Sequence, residues 1–496
     1  MQKQFTQKSF TFFTINFVVG IGFITTISTI MNISYWGYLV LILSAFICFG
    51  IMLVFSRLSN QYDDHYGGSY AYARHLDDDV VHGKLTKSKK RGLRNLVFFI
   101  GWNQFIQTPL LSAIAPLFLA DVVEIILPKP EEFAQRSLVM WIVRGISILL
   151  FISIIAISTI GLKTNKKIIF IASLFKWIIL ILAIFVMLVA VSKEATLPDS
   201  ATYKKVTPQL IIADVLLFMY AFAGTEDVAA MAKDVKFKSF RKILLTSLAF
   251  IFGFYLIFFS LYLFLPNSLK VTPRDGSNEI SKIYTYGLGS FGVAIFIIGL
   301  LCNDLGFRIF QTVATARKLV PLSEDGYLFN SLHHKNKKGE FKNAIVFSTV
   351  IIMISMITLW LVPTIFLDKK YSDEFFKATI ITSSIALLIE DLITFFIAFR
   401  LAAKKRISKI PVWEKAIYII DICIMLFVLL ITFFPWILGG QWEFKNTVSI
   451  IIYVVFIGVG FALKLLNKYK HKFRIYNKWI VKHNKQFDNL IFIKNK

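Results

Sequence analysis

The chain is poor in the residues on which most metal proteins and hydrolytic enzymes depend. It has three cysteines among 496 residues. Cys48, Cys302 and Cys423 all fall inside long apolar runs. That placement excludes a disulfide framework and a cysteine metal cluster, and reads as small buried apolar side chains. The seven histidines, at 65, 75, 82, 333, 334, 471 and 483, all lie outside the apolar runs. A histidine proton relay within a membrane is therefore excluded. No G-x-x-x-x-G-K-[ST] stretch is present, so ATP is not expected to act directly. Acidic residues are outnumbered, 30 Asp and Glu against 55 Lys and Arg, for a formal net charge of +25. A cleavable signal is not expected. Lys3 and Lys8 precede an apolar run too long for a signal core, and no clear cleavage site follows.

Apolar residues are abundant, at 56% of the chain, with a mean hydropathy of +0.66. Soluble domains hold about 45–50% and interrupt them every few positions. Here runs of about 20 apolar residues recur, each long enough to cross roughly 30 Å of hydrocarbon as a helix. Twelve spans are expected, near 10–32, 36–57, 95–126, 138–161, 167–191, 209–231, 242–265, 288–316, 343–366, 377–400, 413–437 and 446–467. Pro109 and Pro116 tilt or kink the third. The positive charge suggests a nucleic-acid partner until its placement is considered. Lys and Arg lie between the runs and alternate from loop to loop. One set of loops, with both termini, holds roughly 39 of them and the other set roughly 12, which predicts cytoplasmic termini.

Spans 1–5 overlay spans 6–10 in opposite orientation, which defines an inverted repeat. The expected parts are a tail (1–9), two five-helix repeats (10–192 and 209–401), helices 11 and 12 (413–467) and a basic tail (468–496). In that tail Phe473, Tyr476, Trp479 and Ile480 are at helical spacing. It either lies on an anionic leaflet or is solvated.

Two short sequences interrupt corresponding spans: Gly20-Ile21-Gly22 in span 1 and Phe222-Ala223-Gly224-Thr225-Glu226 in span 6. Each alone reads as a close-packing surface. As a pair they point to a transporter with a binding site at mid-membrane. A broken helix offers N–H groups to an anion and C=O groups to a cation. One such pair can hold both ends of an α-amino acid. Gly20 and Gly22 would face the carboxylate, and the backbone at Tyr220, Ala223 and Gly224 the amine. Tyr220 or Phe222 would cover the substrate, unless these rings simply pack.

Charged residues inside spans are costly and mark function. They are Lys176, Glu226, Asp227, Asp304, Arg308, Glu390, Asp391 and Asp421. Lys176, near the middle of span 5, exchanges a proton or stands where a cation would otherwise sit, or else forms a structural ion pair. Glu226 senses protons or faces the substrate. Asp227 points elsewhere, toward the inner mouth. Asp304 and Arg308, four apart, pair on one helix face. Of the adjacent Glu390 and Asp391, at least one faces a cavity or a partner.

These residues resemble the amino acid permeases of the amino acid–polyamine–organocation superfamily. Asn16 to Phe23 resembles the glycine-rich break of helix 1, with Ile21 in its centre. Tyr66-Gly67-Gly68-Ser69-Tyr70-Ala71-Tyr72 resembles the entry to helix 3, and Gly101-Trp102 its interior. Ser173 to Lys176 resembles the helix 5 segment whose lysine is held to replace a sodium ion. Phe222 to Glu226 resembles the helix 6 pattern F-x-G-x-E. From Arg308 to Gly326 the family's spacing is lengthened by two, and Lys318 stands in place of an aspartate. Asn343-Ala344-Ile345 resembles the start of helix 9. The resemblance covers about residues 10–400. It implies an all-α polytopic membrane protein of twelve transmembrane helices. A five-plus-five inverted repeat with discontinuous helices 1 and 6 is followed by two extra C-terminal helices. The implied function is secondary-active amino acid transport by alternating access across the plasma membrane. It uses a proton gradient and no cofactor. The alternatives are a polyamine or cationic amino acid carrier or exchanger, in which Glu226, Glu390 and Asp391 balance the added charge, and a sensor or enzyme on the same fold. Apart from a small-molecule substrate and the lipid bilayer, no partner is expected, and no nucleic acid.

Overall fold

In hydrocarbon every backbone N–H and C=O needs an internal partner, and a helix supplies one within each segment. The computed structural model accordingly shows an all-α protein. It describes residues 5–76, 91–113, 135–197, 206–266, 269 and 276–494. The elements are α1 (Gln7–Val18), α2 (Ile21–Met31), α3 (Trp36–Gln61), α4 (Ser69–Arg74), α5 (Arg91–Ala113), α6 (Arg136–Ser158) and α7 (Leu162–Lys193). They continue as α8 (Pro208–Phe222), α9 (Thr225–Ala230), α10 (Phe240–Leu263), α11 (Gly276–Glu324), α12 (Lys342–Met356) and α13 (Val362–Phe366). Last come α14 (Lys369–Ala403), α15 (Val412–Phe433) and α16 (Phe444–Lys494).

Helix starts follow local chemistry. The Thr6 hydroxyl accepts from Ser9 N at 3.3 Å and caps α1. Thr207 caps α8 at 3.2 Å, with Pro208 in the first turn, where a missing N–H costs nothing. One turn of π-helix, Ile357–Leu361, joins α12 to α13. Helix α11 turns sharply at Gly289, whose φ of +57° suits glycine. The one sheet among the described residues is minimal: Phe5–Thr6 pairs in parallel with Val235–Lys236.

Among the described residues, eleven helices or broken helix pairs are long and apolar enough to cross a membrane, with mean hydropathies of 1.2 to 2.9. The expected third span is described as far as Ala113, as the 23-residue α5. Pro109 lies inside α5, while Pro116 lies outside the described residues.

Burial sorts the helices. The apolar window of α14 is 83% buried and that of α6 only 22%. Helix α14 therefore belongs to the interior, and α6 faces lipid. Helix α7 shows the two faces on one element. Ile171, Leu174, Ile178, Ile181, Phe185 and Leu188 are exposed, whereas Ser173, Lys176, Leu180, Ala183, Met187 and Ala190 are buried. Both sets recur at three- and four-residue steps, so one stripe meets lipid and the other meets the bundle. Lys176 lies on the inward stripe.

The two interrupted pairs, α1/α2 and α8/α9, pack against each other. A Cβ at Gly22 would sit 2.5 Å from the Tyr220 carbonyl oxygen. Glycine is required there because the backbones touch.

Candidate functional site

Both interruptions occur at or beside the expected glycines. Helix α1 ends at Val18 and α2 begins at Ile21, leaving Val19 and Gly20 between them. The Gly20 N–H donates to Val18 O at 2.7 Å, so this amide is used within the break. Ile21 and Gly22 open the first turn of α2, the positive end of its dipole. In the second pair, α8 ends at Phe222 and α9 begins at Thr225. Gly224 joins them with φ +128°. Its N–H donates to Glu226 Oε2 at 3.2 Å, so a carboxylate caps the second break.

A small cavity of about 20 Å³ lies between the breaks. Gly22, Tyr220, Ala223, Gly224 and Glu226 line it, together with Phe17, Gln107, Thr108, Leu111, Asp227, Phe307 and Gln311. The structure thus brings most of the expected site residues to one space. Phe222 lies outside that lining. Its ring packs edge-on against Tyr255 at 5.2 Å and Phe218 at 5.9 Å, as core. The rings beside the cavity are Tyr220, Phe17 and Phe307. Phe17 stacks on Phe307 with centroids 5.0 Å apart. It also presses on the second break, since a Cβ at Gly224 would meet Phe17 at 2.7 Å.

Lys176 stands on the far side of that aromatic pair. It lines a second, smaller space of about 10 Å³ with Asn16, Ser173, Asn303 and Phe307. Its Nζ donates to the carbonyl oxygens of Asn16 and Val19, each at 2.7 Å. Both carbonyls belong to the C-terminal end of α1, the negative end of its dipole. Trp177 fixes the Asn16 side chain by donating to its Oδ1 at 2.5 Å. Among the described residues no carboxylate pairs with Lys176, so its charge rests on the helix break rather than on an acid.

The remaining buried charges form a chain beside the cavity. Lys318 Nζ lies 2.7 Å from Asp227 Oδ1. Glu390 accepts from the Ser69 hydroxyl at 2.6 Å and from Gln107 Nε2 at 2.7 Å. Asp391 and Asp421 are fully buried, and their carboxylate oxygens have no hydrogen-bond partner among the described residues. Arg308 pairs with Asp304 at 2.9 Å, as their spacing predicts.

Polar contacts tie one end of the bundle together. Arg317 pairs with Asp234 and, at 3.2 Å, with Glu340. The Tyr66 hydroxyl donates to Asp234 at 2.8 Å. Asp325 accepts from Arg74 at 2.9 Å and from Tyr70. At the same end burial, followed by the charges of His65, Arg74 and Arg406, pushes His75 down to about 4. His75 is therefore neutral at physiological pH.

Sequence reasoning missed Phe17, Gln107, Thr108, Phe307, Gln311 and Lys318. The two glutamines carried a usable signal, as uncharged polar residues within apolar runs. The two phenylalanines carried none in a chain with 50 of them.

A helical membrane protein with a partly polar cavity between two broken spans has the architecture of a small-molecule transporter. The chain belongs to the amino acid permease family, which it matches over residues 5–460. It is 30% identical over 491 residues to "Uncharacterized protein MG225" of Mycoplasma genitalium, covering 95% of this chain and 96% of that one. A second protein of that organism, "Uncharacterized protein MG226", is also 30% identical, over 96% of this chain and 98% of its own length. A Mycoplasma pneumoniae homologue of MG226 is equally similar.

Proposed function

We propose that the protein is a secondary-active amino acid transporter of the plasma membrane, with both termini in the cytoplasm. It works by alternating access and is driven by protons. The observation that carries this reading is the pairing of two broken helices across one cavity, with an unpaired lysine seated on the carbonyls of the first break. The geometry supports a division of labour. First-turn amides of α2 receive the substrate carboxylate, and the backbone of the α8/α9 break with Glu226 receives its ammonium group. Lys176 in its charged form fills the place of a cation and links α7 to α1. Loss of its proton would release that link and let the helices move relative to each other. In this way the proton is coupled to the motion without touching the substrate.

Uptake of labelled amino acids into proteoliposomes, with and without an inward proton gradient, tests the reading. Gradient-stimulated uptake that is lost in Lys176→Ala is expected. Uptake indifferent to the gradient would reduce Lys176 to a structural tie. No uptake of any of the twenty amino acids by an intact preparation would sink the transport reading.

A further inference from the structure

The cavity wall is charged on one side only. Glu226 and Asp227 line it, and Glu390 stands directly behind Gln107. No Lys, Arg or His lines it among the described residues. Lys318 balances one of these acids, Asp227, and lies behind the wall. Arg308 follows Phe307 on α11 but is balanced by Asp304 at 2.9 Å. One buried carboxylate therefore suffices for the ammonium group of a zwitterion, and a second remains.

The second carboxylate has a built route to the cavity. Glu390 is 1% exposed and accepts hydrogen bonds from Ser69 and Gln107. Ser69 is itself held by the Thr394 hydroxyl at 2.9 Å. Because Gln107 gives its amide N–H to Glu390, the carbonyl oxygen is the end left for the cavity. That oxygen is an acceptor with the Glu390 carboxyl group behind it, and it suits a cation. Glu226 adds a second acceptor: it is 4% exposed, and its Oε2 accepts from Gly224 N–H. Each of the two acceptors favours a positive charge of its own, and charge-assisted bonds of this kind are the strong ones.

We propose that the substrate is a dibasic amino acid, whose side-chain cation sits on the Gln107 carbonyl backed by Glu390, while Glu226 faces the α-ammonium group. This deepens the transport reading and rests on it. Gln107 and Glu226 would touch the substrate. Glu390 acts through Gln107 as a positioning residue.

The test is competition against labelled arginine in proteoliposomes containing the wild-type protein. Lysine and ornithine are expected to inhibit where leucine, serine and glutamate do not. Glu226→Gln and Glu390→Gln are each expected to raise KM for arginine by roughly ten- to hundredfold, the loss of one charge-assisted bond. Gln107→Leu should do the same. A structural role for Glu390 would instead lower the yield of folded protein and leave KM unchanged in what remains. Thermal unfolding of each purified variant, with and without lysine, separates the two. Stabilisation by lysine in the wild type and its loss in a variant of unchanged basal stability supports the proposal. Leucine or serine competing as well as lysine would overturn it while leaving amino acid transport intact. Inhibition by putrescine without inhibition by lysine would overturn it too. No uptake of any amino acid would remove the transport reading and this proposal with it.

Discussion

At the cavity, Gly224 is a position with little freedom. Its φ of +128° is a conformation that side chains rarely adopt, and the Phe17 ring fills the place a Cβ would take. Two independent constraints therefore act on one residue. Gly224→Ala is expected to cost about 1–3 kcal/mol for the backbone alone, with more for displacing Phe17. The measurable result is a lower unfolding temperature in detergent together with a raised KM, because the same residue lines the cavity. A variant with both values unchanged would mean that the break relaxes freely. Glycines 20, 22 and 224 were legible because glycine in a spanning run has few explanations. Phe17 was not, because its role depends on a contact with a residue two hundred positions away.

Helix ends carry the next lesson. The apolar pattern stops span 8 near residue 316, where Arg317 and Lys318 follow. The helix nevertheless continues to Glu324, and both basic residues are buried. It can do so because acids on other segments receive them: Asp234 and Glu340 for Arg317, Asp227 for Lys318. Such pairing across distant segments cannot be read from local hydropathy. Breaking a buried pair by removing one partner leaves the other charge uncompensated, which costs about 3–5 kcal/mol. Asp227→Asn and Lys318→Met should each lower the unfolding temperature, and the double variant should recover part of the loss. Equal and additive losses would show that the two side chains do not depend on each other. Helix α7 makes the complementary point. Its position 176 was legible as a charge in a run, and its inward stripe explains the direction. That the charge meets helix carbonyls rather than an acid needed the structure.

For the whole molecule, hydropathy carried most of the architecture, because lipid permits so few backbone solutions. The all-α class and the two interrupted spans follow from that restriction. The amides at the cavity wall, Gln107 and Gln311, follow from packing among spans 3, 8 and 10, which no single run reveals. Alternating access is a property of the whole bundle and requires the cavity to open in turn to each side. A single cysteine at Leu111, in a protein with Cys48, Cys302 and Cys423 replaced, reports on it directly. Leu111 lines the cavity. An impermeant thiol reagent is applied from one side or the other of oriented proteoliposomes. The account predicts labelling from both sides and protection by a transported amino acid. Labelling from one side only, whatever the substrate and the proton gradient, would contradict it.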